Sequence, residues 1–258
     1  MKIKLLGLLA LLILQSCKTT KEDIYYMQDI EAYNNSEVNY VNATIQPNDI
    51  LSITVGALVP ETAIPYNRIA GSGTYIKSNT IEMMQLEGYL VTMEQTISFP
   101  VLGELSVRNK TPEQLEKHIT DLLETGGHLI NPTVSVRLLN SKVTLLGEVN
   151  RPGTYSFTES NINLLQALGL AGDLTINGKR EDVVLIREVD GVRTVAYIDL
   201  TKSDWIESSF YNIKPNDVVM VKPNDSKVKS ANFVGSFGNI LGIASLTLST
   251  IILILSLD

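Results

Sequence analysis

The sequence predicts an α+β protein: two soluble modules built from short strands and a few helices, followed by a C-terminal transmembrane α-helix. Three observations carry this. Stretches of alternating apolar residues, the mark of half-buried strands, recur from Ile50 to Val221 and alternate with only two helical stripes. The segment Asn232 to Leu257 holds no charged side chain, and as a helix it would cover about 39 Å, against a hydrocarbon core of about 30 Å. At the other end, Lys2 and Lys4 precede an apolar run from Leu5 to Leu14 and then Gln15-Ser16-Cys17, the build of a secretory signal peptide.

That apolar run is too short to remain as a spanning anchor. A cysteine at the cleavage site resembles a bacterial lipoprotein signal, which implies removal of 1–16 and lipidation of Cys17. Lys18 follows, where an Asp would favour inner-membrane retention, so the outer membrane is expected. Cys17 is the only cysteine, so no internal disulfide can form and the fold must rest on its core. Removing Lys2 and Lys4 makes the formal charge two units more negative than −7. No concentrated basic face exists for nucleic acid, and an acidic surface repels an anionic polymer rather than capturing it.

Residues 17–40 read as a lipidated linker, polar around Asn34-Asn35-Ser36, with a Tyr25-Tyr26-Met27 cluster able to dock on a neighbour. A first domain is expected over 41–140. Ile45-Gln46-Pro47-Asn48-Asp49 is a turn feeding a strand from Ile50. Gly71, Gly73, Pro60 and Pro65 predict a long irregular insertion over 56–85. Strand patterning returns from Gly88 to Val101. Thr111-Pro112-Glu113-Gln114 starts a helix with Thr as N-cap, Pro first and Gln third. Leu115, Ile119, Leu122 and Leu123 form its apolar stripe, and Gly126-Gly127 stop it. Asn131-Pro132 then leads into a strand carrying Val134, Val136 and Leu138.

A second domain is expected over 141–223. It opens with a strand from Val143 to Val149 and the turn Asn150-Arg151-Pro152-Gly153. Leu164, Leu165 and Leu168 mark a short helix stopped by Gly169 and Gly172. Strands at 183–186 and 194–198 are broken by Asp190-Gly191. This order suits a small domain of β-grasp type. Ile213-Lys214-Pro215-Asn216-Asp217-Val218 nearly copies the opening of the first domain, which suggests related edges. A linker over 224–231 leads to the tail at 232–257.

Assembled, these pieces resemble the bacterial polysaccharide export family of outer-membrane lipoproteins. The first domain matches in Ile45-Gln46-Pro47-Asn48-Asp49-Ile50-Leu51, in Ile97-Ser98-Phe99-Pro100-Val101-Leu102-Gly103-Glu104-Leu105 and in Asn131-Pro132-Thr133-Val134-Ser135-Val136. Gly147-Glu148-Val149-Asn150-Arg151-Pro152-Gly153-Thr154-Tyr155 and Ala171-Gly172-Asp173 resemble the soluble-ligand-binding β-grasp (SLBB) domain. The likeness covers roughly 45–223. It departs where the family carries Asp-Gly before the core motif and this chain has Glu94-Gln95-Thr96, so that turn is expected to differ in shape. It departs again at Asn109, where the family has Gly; Asn tolerates a left-handed backbone, so this turn is expected to survive. One β-grasp repeat stands where many relatives have two, which implies a shorter periplasmic portion.

The resemblance implies a non-enzymatic subunit of a ring-shaped export channel for capsule or exopolysaccharide, homo-oligomeric and octameric. It implies a polysaccharide chain as substrate, an inner-membrane co-polymerase or tyrosine kinase as partner, contact with membrane lipid, and no nucleic acid or cofactor. Gly235, Gly238, Gly242, Ser245, Ser249 and Ser256 form a small-residue stripe along the tail, suited to close helix packing in lipid. Asn239, Thr247 and Thr250 give a polar flank able to face a pore. Lys222, Lys227 and Lys229 precede the tail and none follows, which disfavours an inner-membrane span.

Two rivals remain: a membrane-anchored lipoprotein that binds a glycan or protein without forming a pore, and a glycan-processing enzyme. His118 and His128 do not make a metal spacing. Glu82, Glu87, Glu94 and Glu104 are scattered rather than paired, and no phosphate loop or nucleophile elbow occurs. Trp205 suits a core anchor better than a sugar platform.

Overall fold

The computed structural model describes residues 24–32, 42–68 and 86–230, together with Gly242, Ser245 and Ser249. Two hydrophobic cores organise the described residues, one per domain.

The first core is built on β1 (Ile50–Gly56), which lies between β2 (Tyr89–Leu90) and, after a hairpin, β5 (Thr133–Leu138), antiparallel to both. The hairpin pairs β3 (Thr96–Phe99) with β4 (Gly103–Ser106). Helix α1 (Pro112–Thr125) packs beside β5. Its start is the expected capping box: Thr111 Oγ1 accepts from the Gln114 amide at 3.3 Å, and Gln114 Oε1 accepts from the Thr111 amide at 3.0 Å. Such a cap contributes about 1 kcal/mol. Leu115, Ile119 and Leu123 are fully buried, while Leu122 packs at the margin. Each such burial contributes about 1.5–3 kcal/mol. Gly127 ends the helix at a φ of 68°.

The expected irregular stretch is partly ordered. Pro60–Ala63 makes one helical turn that runs into a 3-10 turn at Ile64–Tyr66, and both prolines sit at turn starts where no donor is missed. Residues 69–85 lie outside the described residues.

Asn109 takes a φ of 55°, as anticipated. The Glu94-Gln95 turn corrects an expectation: Gln95 takes a φ of 58°, the left-handed conformation a glycine would adopt freely, so the turn keeps that shape and carries strain instead. At the β3–β4 tip, exposed Val101 is also left-handed, with a φ of 66°, unfavourable for a β-branched residue.

The second core lies under a five-stranded sheet. Its strands are β6 (Lys142–Gly147), β7 (Gly153–Ser156), β9 (Gly178–Val189), β10 (Val192–Ile198) and β12 (Val218–Pro223); the short β8 (Ile162–Asn163) and β11 (Asn212–Ile213) pair apart. The order is β10-β9-β12-β6-β7. The first and last strands, β6 and β12, lie side by side and parallel. Helix α2 (Leu164–Leu170) buries Leu164, Ala167 and Leu168 against this sheet's core. Asn163 and Gln166 cap it reciprocally. Gly169 does not stop α2 as expected; the chain turns at Gly172, which has a φ of 74°. Asp190 and Gly191 both have positive φ, the mirror-image turn that fits the twist of a hairpin. Trp205 is a core anchor, buried with its indole N–H donating to the Lys202 carbonyl at 2.8 Å.

The two near-identical turns share one geometry. Asn48 and Asn216 take φ of 68° and 69°. The Asp49 carboxylate accepts from the Gln46 amide at 2.7 Å and Asp217 from the Lys214 amide at 2.8 Å. Both feed the central strand of their sheet rather than an edge. They differ in counterion. Arg187 closes on Asp217 with Nε and Nη2 contacts of 3.0 and 2.6 Å, both groups buried. Asp49 has no ion pair among the described residues, and burial pushes its carboxyl up to about 6.

The domains touch through few polar contacts. Gln46 exchanges two hydrogen bonds with Asp190, donating to the carboxylate at 3.2 Å and accepting from the amide at 3.0 Å. Asn161 donates to Asn42 at 2.9 Å.

Candidate functional site

Residues 173–180, from the turn after α2 into the start of β9, contact both the leader and the segment after β12. The leader docks first. The Met27 and Gln28 amides donate to the Leu200 and Thr201 carbonyls at 2.9 and 2.7 Å. The Tyr26 hydroxyl donates to the Asp173 carboxylate, and its ring lies 5.5 Å from the Arg180 guanidinium carbon. Burial and the Asp173 carboxylate push the phenol well above its ordinary range. Arg180 is buried, donates to the Thr175 and Gly178 carbonyls, and has an Nε without a partner among the described residues. Tyr26 and Met27 extend the second core. The leader is therefore held on its own chain at Tyr26–Gln28, where the sequence suggested that the Tyr25-Tyr26-Met27 cluster docks on a neighbour.

The segment after β12 leaves beside it. Pro223 pairs with Gly178, and the Asn224 amide donates to the Asn177 carbonyl at 2.7 Å. Residues 225–230 are helical. From this turn Lys227 reaches back to Glu148 at 2.6 Å, while Thr175 donates to the other Glu148 oxygen at 2.8 Å. The Lys227 ammonium holds the Glu148 carboxyl below its ordinary range. Asp173 thus holds the leader through Tyr26, and Glu148, braced by Thr175, holds the segment after β12 through Lys227, both by charge-assisted bonds.

Among the residues expected to carry function, Cys17, Gly235, Gly238, Asn239, Thr247, Thr250 and Ser256 lie outside the described residues. Gly242, Ser245 and Ser249 are helical and exposed. Ser245 Oγ donates to the Gly242 carbonyl at 2.9 Å and Ser249 Oγ to the Ser245 carbonyl at 2.8 Å. No helix among the described residues is long and apolar enough to cross a membrane, so the spanning helix expected over 232–257 gains no support there. His118 is half-buried, and His128 is exposed with its ring edge-on to Tyr66 at 5.8 Å. Glu87, Glu94 and Glu104 are exposed, and Glu82 is not among the described residues. No three His, Cys, Asp or Glu among the described residues converge as a metal site. The clamp residues Glu148, Asp173, Arg180 and Lys227 were not legible as a group, because only folding brings them together; Tyr26 was, as an aromatic in a polar leader.

Comparison with known proteins agrees with this architecture. Residues 37–139 match the family described as polysaccharide biosynthesis/export protein, and residues 142–196 match the SLBB domain. The EPS I polysaccharide export outer membrane protein EpsA of Ralstonia solanacearum is 28% identical over 189 residues, 71% of this chain and 49% of that protein. The capsule polysaccharide export outer membrane protein CtrA of Neisseria meningitidis serogroup B (strain ATCC BAA-335 / MC58) is 26% identical over 185 residues, 70% of this chain and 45% of that protein. The chain thus spans about half the length of these relatives. Both names place the relatives in the outer membrane, and the location expected from the sequence is borne out by them. The chain thus carries a region matching the polysaccharide biosynthesis/export family over 37–139, followed by one matching the SLBB domain over 142–196.

Proposed function

We propose that this chain is a subunit of an outer-membrane channel that passes capsule or exopolysaccharide from the periplasm to the cell surface. The observation that supports the reading is the clamp around 173–180, which holds the leader at Tyr26 and the segment after β12 at Pro223–Lys227 on one side of the second domain. Lipidated Cys17 stands eight residues before Tyr25, a reach of at most about 28 Å. Residues 225–230, which precede the tail over 232–257 in sequence, start from the same side. Lipid anchor and spanning helix then enter the membrane together, with the second domain beneath it and the first domain deeper in the periplasm.

The tail serves as one stave of a helical barrel. Gly235, Gly238, Gly242, Ser245, Ser249 and Ser256 pack against the neighbouring helix, and Asn239, Thr247 and Thr250 face the pore. The back-bonded hydroxyls of Ser245 and Ser249 support this, because a polar group in lipid needs an internal partner. The ring is homo-oligomeric, an octamer by resemblance. An inner-membrane co-polymerase or kinase delivers the polymer, and no catalysis is required of this chain. The test is two-dimensional imaging of the detergent-purified protein. Closed rings with a central opening are expected. Dispersed monomers would overturn the channel and favour a lipoprotein that binds a glycan or protein without a pore.

A further inference from the structure

Two adjoining cavities, of about 390 and 350 Å³, lie where the two domains meet and share Ala43 and Ser160 in their walls. The first is bounded by the opening turn of α1, strand β5, the loop at 158–160 and Pro215. The second continues past Asn161 to Ser208, Ser209 and Asn212. Together they form an elongated groove, and each volume falls in the range of a small-molecule site.

The lining is unusual in chemistry. Hydroxyl and amide side chains are its largest class, and no aromatic residue takes part. A peptide partner needs apolar pockets for its anchors, and a protein interface core is enriched in aromatic residues. A polyhydroxylated ligand needs donors and acceptors in mixed array, which this groove supplies.

Ser141, 6% exposed, lines the wall beside Arg137. Arg137 is exposed and unpaired among the described residues, although Glu113 and Glu159 line the same cavity. Glu116 is committed elsewhere: its Oε1 accepts from the Val136 amide at 2.8 Å and closes part of the open edge of β5. With Glu113, Glu159 and Glu207 against Arg137 and Lys214, the groove carries no excess of positive charge to hold a polyanion.

We propose that this groove is a binding site for a short neutral stretch of a linear glycan, with Arg137, Ser141, Ser160 and Asn161 among its contacts. The proposal rests on the export reading for the source of the glycan. It adds a holding point on the periplasmic body, at the joint between the domains, where a bound chain would bridge both.

The test uses the full-length protein in detergent. The probe is a set of short oligosaccharides cut by mild acid from the surface polysaccharide of the strain that encodes this chain, labelled with a fluorophore at the reducing end. Binding is read by fluorescence anisotropy. Ser160 is exposed and sits where the cavities meet, so Ser160→Trp blocks the groove without touching a core. Roughly tenfold weaker binding is expected for Ser160→Trp and a smaller loss for Arg137→Ala, with Ser98→Trp on β3 unchanged. Unchanged binding in Ser160→Trp overturns the groove, as does no binding by the native protein. A changed particle mass in Ser160→Trp also overturns it, marking the groove as a contact between copies. None of these outcomes touches export itself, which is read separately as surface polysaccharide in cells lacking the chain.

Discussion

Replacing Arg187 by Leu tests the second domain at its most concentrated polar contact. The Arg187 guanidinium makes three contacts to Asp217, at 3.0, 3.3 and 2.6 Å, and also donates to the Ser209 and Asn212 carbonyls at 2.8 and 2.7 Å. It lies 5.3 Å from the Phe210 ring centre. It therefore ties β9 to the turn before β12 and to the loop at 208–212. Leu keeps the apolar stem but leaves Asp217 buried, 1% exposed, with only the Lys214 amide as a strong donor. Burial pushes that carboxyl up, and the Arg187 and Lys214 donors oppose the push. Breaking a buried pair from one side costs about 3–5 kcal/mol, a large part of the 5–15 kcal/mol of a typical domain. The assay is urea unfolding at neutral pH followed by Trp205 fluorescence, since Trp205 sits in this same core. Arg187→Leu is expected to lose about 4 kcal/mol, and adding Asp217→Asn to recover about 2 kcal/mol, because Asn still accepts from Lys214 and carries no charge. A loss under about 1 kcal/mol, or strict additivity of the two changes, would refute the buried pair as the tie between these elements.

Three further outcomes are expected. Asp49 has a folded-state carboxyl raised to about 6, so the folded chain holds its proton more tightly than the unfolded one, and the stability from this group is full below about pH 4 and lost as pH rises through 6. Asp49→Asn should remove that slope and gain about 1–2 kcal/mol at pH 7.5; a slope that survives in the variant contradicts the assignment. At Gly147, with a φ of 84°, an added Cβ would stand 2.0 Å from the Val221 carbonyl oxygen, so Gly147→Ala should cost at least about 3 kcal/mol in the same unfolding assay, and a tolerated alanine would argue against the parallel β6–β12 contact. Tyr26→Ala removes the Asp173 bond and the Arg180 contact; amide hydrogen exchange at Met27 and Gln28 should then speed up at least roughly tenfold, and unchanged protection would mean that the leader is held by other contacts.

Much of the fold was readable because its signals are local. The Thr111–Gln114 box, the Asp190-Gly191 turn and the twin Pro-Asn-Asp turns each act over a few residues, and each appears as its residue types require. Gln95 misled because residue type alone argues against a left-handed backbone, whereas the Thr92 and Val107 hydrogen bonds around it hold that geometry. Gly169 misled for the opposite reason: an added Cβ there would meet nothing, so a glycine inside α2 marks no turn. The clamp lay beyond sequence reasoning, since Glu148 and Lys227, or Tyr26 and Asp173, meet only through tertiary folding. Ser141 gave no signal, because a serine at the opening of the second domain shows nothing of its burial until the fold is seen.

Export itself is tested most directly by measuring where the polymer goes when the chain is deleted from the strain that encodes it. Surface polysaccharide, stained on intact cells, should fall to background while the same polymer accumulates in the periplasm, and a copy of the gene supplied in trans should restore the surface layer. A surface layer of normal amount in the deletion strain, with no periplasmic polymer, would contradict a role in export.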